Sequence, residues 1–119
     1  MLSCLEIVKN TLEALTEKCF HYEAFFEDES EKDQYIVWAE DNEYNSLCTD
    51  NYKGFQTVEG TIDYFTKSGV DEMPDAIQNA LNKARIGWEI NSIQYEDETG
   101  FVHFEWLFRV RNEYAENGS

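Results

Sequence analysis

Positive charge is what this chain has least of. Nine Lys and Arg stand against 25 Asp and Glu in 119 residues, a formal charge of −16. Simple electrostatic binding to DNA or to an anionic membrane is disfavoured, because either needs cations to displace condensed counterions. Cysteine is sparse too. Cys4, Cys19 and Cys48 are odd in number and have no C-x-x-C spacing, which argues against a disulfide framework and a zinc site and for free thiols in a reducing cytoplasm. No apolar run approaches the length that spans a bilayer, and the N-terminus has no basic region followed by a continuous apolar stretch. The expectation is a soluble intracellular protein.

Recognisable catalytic patterns are missing as well. The serines lack the G-x-S-x-G elbow, no Gly-rich loop opens a helix to receive phosphate, and neither histidine forms a helical pair with a carboxylate. The acidic run Glu27 to Asp33 fails as a calcium loop: counted from Asp28, the fifth position is Lys32 and the sixth is Asp33 where Gly is needed. No cofactor, metal or catalytic residue is expected, and the chain reads as a non-enzyme.

What is present is a folding sequence. Apolar residues make up 42% and aromatic residues 15% of the chain, too many for a disordered acidic tail. The length suits one domain, expected over residues 1–112 with a flexible tail at 113–119. From Leu2 to Cys19 the apolar residues Leu2, Leu5, Val8, Leu12, Leu15 and Cys19 form the stripe of an amphipathic helix. Ser3 is the candidate N-cap, with Glu6 completing a capping box. Cys19 to Phe26 alternates as a first strand, Glu27 to Asp33 is a solvated loop, and Gln34 to Glu40 reads as a second strand. Asp41 to Gly54 is polar, irregular and longer than most connections.

Phe55 to Thr66 is the third strand, with Val58, Gly60, Ile62 and Tyr64 on one face; Gly60 marks a bulge or a close contact. A second helix runs from about Pro74 to Arg85, with Ile77, Ala80, Leu81 and Ala84 on one side. Pro74 and Asp75 suit its first turn, Lys83 and Arg85 suit its end, and Gly87 follows.

The last third forms a long β-hairpin. Val102, Phe104, Trp106, Phe108 and Val110 alternate with polar residues in the return arm. In the outgoing arm Ile86, Trp88 and Ile90 keep even parity, and then Ile93 and Tyr95 switch to odd. A bulge in which Asn91 and Ser92 together oppose Glu105 accounts for the switch, with Asp97 to Gly100 as the loop. The pairs are then Tyr95/Val102, Ile93/Phe104, Ile90/Trp106, Trp88/Phe108 and Ile86/Val110. Every apolar residue of the hairpin except Phe101 and Leu107 falls on one face, which is expected to supply much of the core. The fold class is α+β: two helices on one face of a mostly antiparallel sheet, in the order α-β-β-β-α-β-β.

The opposite hairpin face carries Glu89, Gln94, His103, Glu105, Leu107 and Arg109, a mixed polar surface suited to pairing with another subunit. A glycosidase-like pair of Glu89 and Glu105 is conceivable, but nothing suggests a sugar cleft or a desolvated acid. Large aromatics in the 41–54 region, Tyr44 and Tyr52, are further candidates for subunit contact. The acidity fits a plain solvated surface, a DNA mimic that binds a basic protein, or a ring whose negative lumen lets nucleic acid pass.

The run from Gly87 to Trp106 (Gly-Trp-Glu-Ile-Asn-Ser-Ile-Gln-Tyr-Glu-Asp-Glu-Thr-Gly-Phe-Val-His-Phe-Glu-Trp), with the helix Pro-Asp-Ala-Ile-Gln-Asn-Ala-Leu and the strand Gly-Thr-Ile-Asp-Tyr-Phe-Thr before it, resembles small tail-completion or tail-terminator proteins of phages and prophages of Gram-positive bacteria. The element order agrees over nearly the whole chain. The resemblance implies a non-enzymatic virion component that forms a ring, typically of six subunits, which caps the tail tube and joins it to the head. Its implied partners are copies of itself, tail-tube proteins and head-connector proteins, met in the host cytoplasm during assembly and then in the virion. It implies no catalytic residue. The alternative is an acidic DNA-mimic inhibitor, also encoded by a phage.

Overall fold

A computed structural model describes residues 1–44, 55–68 and 70–113. The elements in chain order are α1 (Ser3–Glu13), β1 (Cys19–His21), a single 3-10 turn (Glu29–Glu31), β2 (Gln34–Tyr44), β3 (Phe55–Thr66), α2 (Met73–Lys83), β4 (Gly87–Glu96) and β5 (Phe101–Glu113). The five strands form one sheet in the order β1-β2-β3-β5-β4. All neighbours are antiparallel except β1 and β2, which run parallel. This is the expected α+β architecture. Glu113, placed in the tail by the sequence, instead ends β5; the rest of that tail lies outside the described residues.

The core lies between the sheet and its two helices. Leu5, Val8 and Leu12 of α1, and Ile77 and Leu81 of α2, meet Ile36, Trp38, Val58, Ile62, Tyr64, Trp106, Phe108 and Val110 from β2, β3 and β5. The apolar stripe of α1 is therefore real, but the helix ends early. Ala14 is its C-cap, and the Thr16 hydroxyl accepts a hydrogen bond from the Lys18 amide at 3.1 Å, turning the chain toward the sheet. Leu15 and Cys19 still pack against the core from beyond the helix. The capping box does not form. Leu2 is the N-cap and no side chain caps the end, because the helix starts one residue earlier, with the Leu5 and Glu6 amides donating to the Leu2 carbonyl.

The other end of the core is closed by α2. Its Met73 amide donates to Asp71 Oδ1 at 2.8 Å, and Asp71 also accepts from the Tyr64 hydroxyl and from Gln34 Nε2 at 3.1 Å. Burial pushes the Asp71 carboxyl up, but these hydrogen bonds together with Thr66 outweigh it and hold the group below its ordinary value. The helix ends with Arg85 at φ 61. The Arg85 amide donates to the Asn82 carbonyl at 3.1 Å and the Ile86 amide to the Leu81 carbonyl at 2.9 Å, the two bonds of a Schellman motif. Arg85, and not Gly87, thus occupies the left-handed position, and Leu81 and Ile86 are both buried in the core.

The first strand is shorter than the sequence suggested. Alternation through Phe26 is broken at Tyr22, whose φ of 75 takes it out of the extended region. The chain then turns behind the sheet and builds a second, smaller aromatic cluster. Phe26 meets Phe20 at 5.1 Å and Tyr35 at 5.3 Å, and Tyr35 stacks on Phe65 at 4.7 Å. Phe101, set apart from the core by its parity, is buried here against Tyr35 and Phe65. In contrast, β2 is longer than expected. Asn42, Glu43 and Tyr44 pair with Glu59, Val58 and Thr57 past a register shift at Glu40/Asn42. A neighbouring strand supplied ladder partners that the polar sequence alone did not advertise.

The hairpin has the register read from its parity switch. Trp88 pairs with Phe108, Ile90 with Trp106, Ile93 with Phe104 and Tyr95 with Val102, with the shift between Ile90 and Ser92 opposite Glu105. Its contribution to the core is smaller than expected. Trp106, Phe108 and Val110 are buried and Trp88 and Phe104 half-buried, but Ile90, Ile93 and Tyr95 are exposed. The reason is length. Each helix has 11 residues and covers about 16 Å, whereas the 10 to 13 residues of β4 and β5 run for about 33–43 Å.

Candidate functional site

The polar hairpin face divides into two parts. Glu89 and Leu107 are cross-strand partners, and Arg109 lies opposite Gly87. All three are exposed, and with Glu59 and Trp88 they line a shallow depression of about 140 Å³. Arg109 Nη2 reaches Glu59 Oε2 at 3.5 Å. This is the open part of the face. Its volume is below the range of about 300–1,000 Å³ typical of small-molecule sites, and a flat, mixed surface with one bare Leu suits contact with a protein.

His103 and Glu105 belong to the other, tied-down part. His103 stacks on Phe65 with ring centres 4.3 Å apart, and its Nε2 lies 2.7 Å from Asp63 Oδ1. Burial pushes the Asp63 carboxyl up, and the hydrogen bond and charge of His103 pull it part of the way back. Glu105 accepts a hydrogen bond from Asn91 Nδ2 at 2.8 Å, the residue displaced by the bulge. These two side chains are thus engaged within their own subunit. Tyr44 is in β2, where its backbone pairs with Thr57; its side chain and the whole of Tyr52 lie outside the described residues.

A second polar constellation was not foreseen. At the end of β1, His21 is sandwiched between Tyr22 at 3.9 Å and Trp38 at 4.0 Å, and its Nε2 lies 2.7 Å from Glu40 Oε1. The Tyr22 hydroxyl donates to the other Glu40 oxygen. Burial pushes the Glu40 carboxyl up, but hydrogen bonds from Tyr22 and His21 win and lower it. His21 reaches Trp38 and Glu40 from its place in the β1 ladder, and the Tyr22 ring and hydroxyl join them where the chain leaves the strand at positive φ. Cys4 is buried and Cys19 half-buried, both as free thiols, and burial pushes the Cys19 thiol up to about 12, which makes it a poor nucleophile. Among the described residues no cluster of three or more His, Cys, Asp and Glu could hold a metal ion, and no helix is long and apolar enough to cross a membrane.

The residues that sequence reasoning placed inside and the fold leaves bare are Ile90, Ile93 and Tyr95, exposed at 43%, 61% and 65%. They share the helix-side face of β4, the edge strand, beyond the reach of α2. On the opposite flank Tyr22 and Phe25 are exposed at 61% and 71%.

No protein-family model matches this chain. A search of curated proteins likewise gives no match. Among solved structures, the fold is shared with a chain of the "Virion of native gene transfer agent (GTA) particle", at a TM-score of 0.58 and 12% sequence identity, over 92% of this chain and 91% of that one. The likeness is one of architecture, and it takes in most of both chains.

Proposed function

We propose that this protein is a structural, non-catalytic component of a phage-like virion, of the tail-terminator type. The observation that carries the reading is the agreement of its fold, over 92% of its length, with a chain of a gene transfer agent virion. The hairpin's resemblance to tail-completion proteins gives the finer assignment. In this role several copies, typically six, form a ring on the finished tail tube, stop its growth and present the surface that meets the head connector. The chain would work in the host cytoplasm during assembly and remain in the particle. A charge of −16 is compatible with a ring around a DNA path, since a negative wall repels phosphates and does not hold them.

The test is to delete the reading frame from the replicon that carries it and to image the particles. A terminator is expected to leave headless tails of uncontrolled length beside DNA-filled, tailless heads, restored to normal by the gene in trans. Normal tails on full heads would overturn the assignment.

A further inference from the structure

We propose that the two flanks of the sheet are the two halves of a head-to-tail contact between copies of this chain: the β4 flank, with Ile90, Ile93 and Tyr95, seats against the Tyr22 and Phe25 flank of the next copy. This deepens the ring reading above and rests on it.

Three observations point to a second copy as the occupant. The first is that, among the described residues, no strand pairs with the outer edge of β4 or of β1. β4 is a 10-residue edge strand that has neither Lys nor Pro, two of the usual protections against edge pairing, and its protection is confined to the bulge at Asn91 and to Glu89 and Glu96. On the far side, β1 covers β2 only at Ile36, Val37 and Trp38. The second is that each flank bares large apolar side chains, and on β4 the patch continues into half-buried Val102 and Phe104. Contiguous apolar surface of this kind marks contact sites.

The third observation is charge. In a chain so poor in cations, exposed Lys83 and Arg85 stand at the entrance to β4, where Arg109 is already engaged by Glu59 and Glu89 lies close by. The other flank carries Glu23, Glu27, Asp28, Glu29 and Glu31, all exposed, against Lys18, which is paired with Asp33, and Lys32, which lies over Tyr35. The far end of β4 is acidic at Asp97 and Glu98, so the complementarity is confined to the entrance end. Because the two patches differ and lie on opposite edges, each copy offers one of each, and the contact is heterologous. A contact of that kind closes into a ring when its rotation permits.

The test uses the full chain in two surface variants, Ile93→Ser with Tyr95→Ser on the β4 flank, and Phe25→Ser on the other. Masses are read by sedimentation at about 1 M salt, where the screening length falls to about 3 Å and repulsion between acidic copies is suppressed. Circular dichroism checks that the exposed substitutions leave the fold intact. The wild type is expected to exceed a dimer, and each variant alone to assemble at least about 30-fold more weakly, as for the loss of a hot-spot side chain. An equimolar mixture of the two variants retains one intact junction per pair and is expected to give heterodimers and nothing larger.

If the Phe25 variant assembles like the wild type while the β4 variant does not, β4 pairs with itself and the proposal is overturned. If both variants keep the wild-type mass, or if the wild type is a monomer throughout, it is overturned as well. The deletion phenotype decides the virion reading separately in each of these cases.

Discussion

Gly60 offers the sharpest test of the sheet itself. It pairs with Glu40 and with Phe108, at the point where β2 shifts register. A Cβ built on it would run into the Ala39 carbonyl oxygen first, then Glu40 Cα at 2.7 Å and Phe108 Cε2 at 2.8 Å. The ring of Phe108 can tilt away; the backbone of residues 39 and 40 cannot without disturbing the ladder. Gly60→Ala is thus an overpacking change with a cost of about 1–3 kcal/mol, expected toward the upper end because backbone must move. Against it stands a gain of about 0.4–1 kcal/mol from the stiffer unfolded chain. The net loss should be about 2 kcal/mol, which moves a urea midpoint down by about 1 M for a small domain. Adding Phe108→Leu should recover little, since the carbonyl oxygen remains. A Gly60→Ala variant as stable as the wild type would refute the close approach of β2 and β3, and with it the bulge.

Three further outcomes follow from the packing and electrostatics. Trp106 is fully buried, with its Nε1 donating to Gln78 Oε1 at 3.0 Å, so Trp106→Ala should cost about 3–5 kcal/mol; Ile93→Ala, measured in dilute solution, should stay within about 0.5 kcal/mol. Equal effects in chemical denaturation would mean that the β4 flank is covered within the subunit. Asp71→Ala removes the acceptor of the Met73 amide and of the Tyr64 hydroxyl, while Gln34 keeps the Tyr64 oxygen, and should cost about 1–3 kcal/mol. Because the folded-state pKa of Asp71 is lowered, its contribution is complete above the ordinary value of 3.8 and is lost as pH falls through the folded value. The gap between wild type and variant should narrow below that pH; a gap that widens with acid would contradict the assigned hydrogen bonds. In His103→Ala the Asp63 carboxyl loses the partner that offsets its burial, and a carbon-13 NMR titration should find its pKa further raised. A fall would show that burial is not the dominant effect there.

The sequence was most legible where side-chain parity is redundant. Five apolar pairs in the hairpin agree on one register only if Asn91 is extruded, and four of them stand in the ladder with that register, Ile86 preceding the first residue of β4. Gly60 was legible for a similar reason, as a missing side chain in an otherwise continuous buried face. Tyr22 was not legible: an aromatic residue at positive φ has no compositional signal, yet it ends β1 and sends Phe26 behind the sheet. Nor could alternation show that β5 inserts between β3 and β4, which makes β4 an edge and leaves Ile93 and Tyr95 bare. The same holds for the candidate surface. The exposure of Glu89, Leu107 and Arg109 follows from parity within the hairpin, but the anchoring of His103 depends on Asp63 and Phe65 of a distant strand.

The measurement that tests the ring most directly is the absolute mass of the wild-type chain by light scattering, over a concentration series at rising salt. The ring account expects a discrete oligomer near six subunits that is favoured as salt screens the −16 charge. A monomer at every concentration and salt would contradict it and return weight to an acidic mimic, whose binding to a basic protein weakens as salt rises.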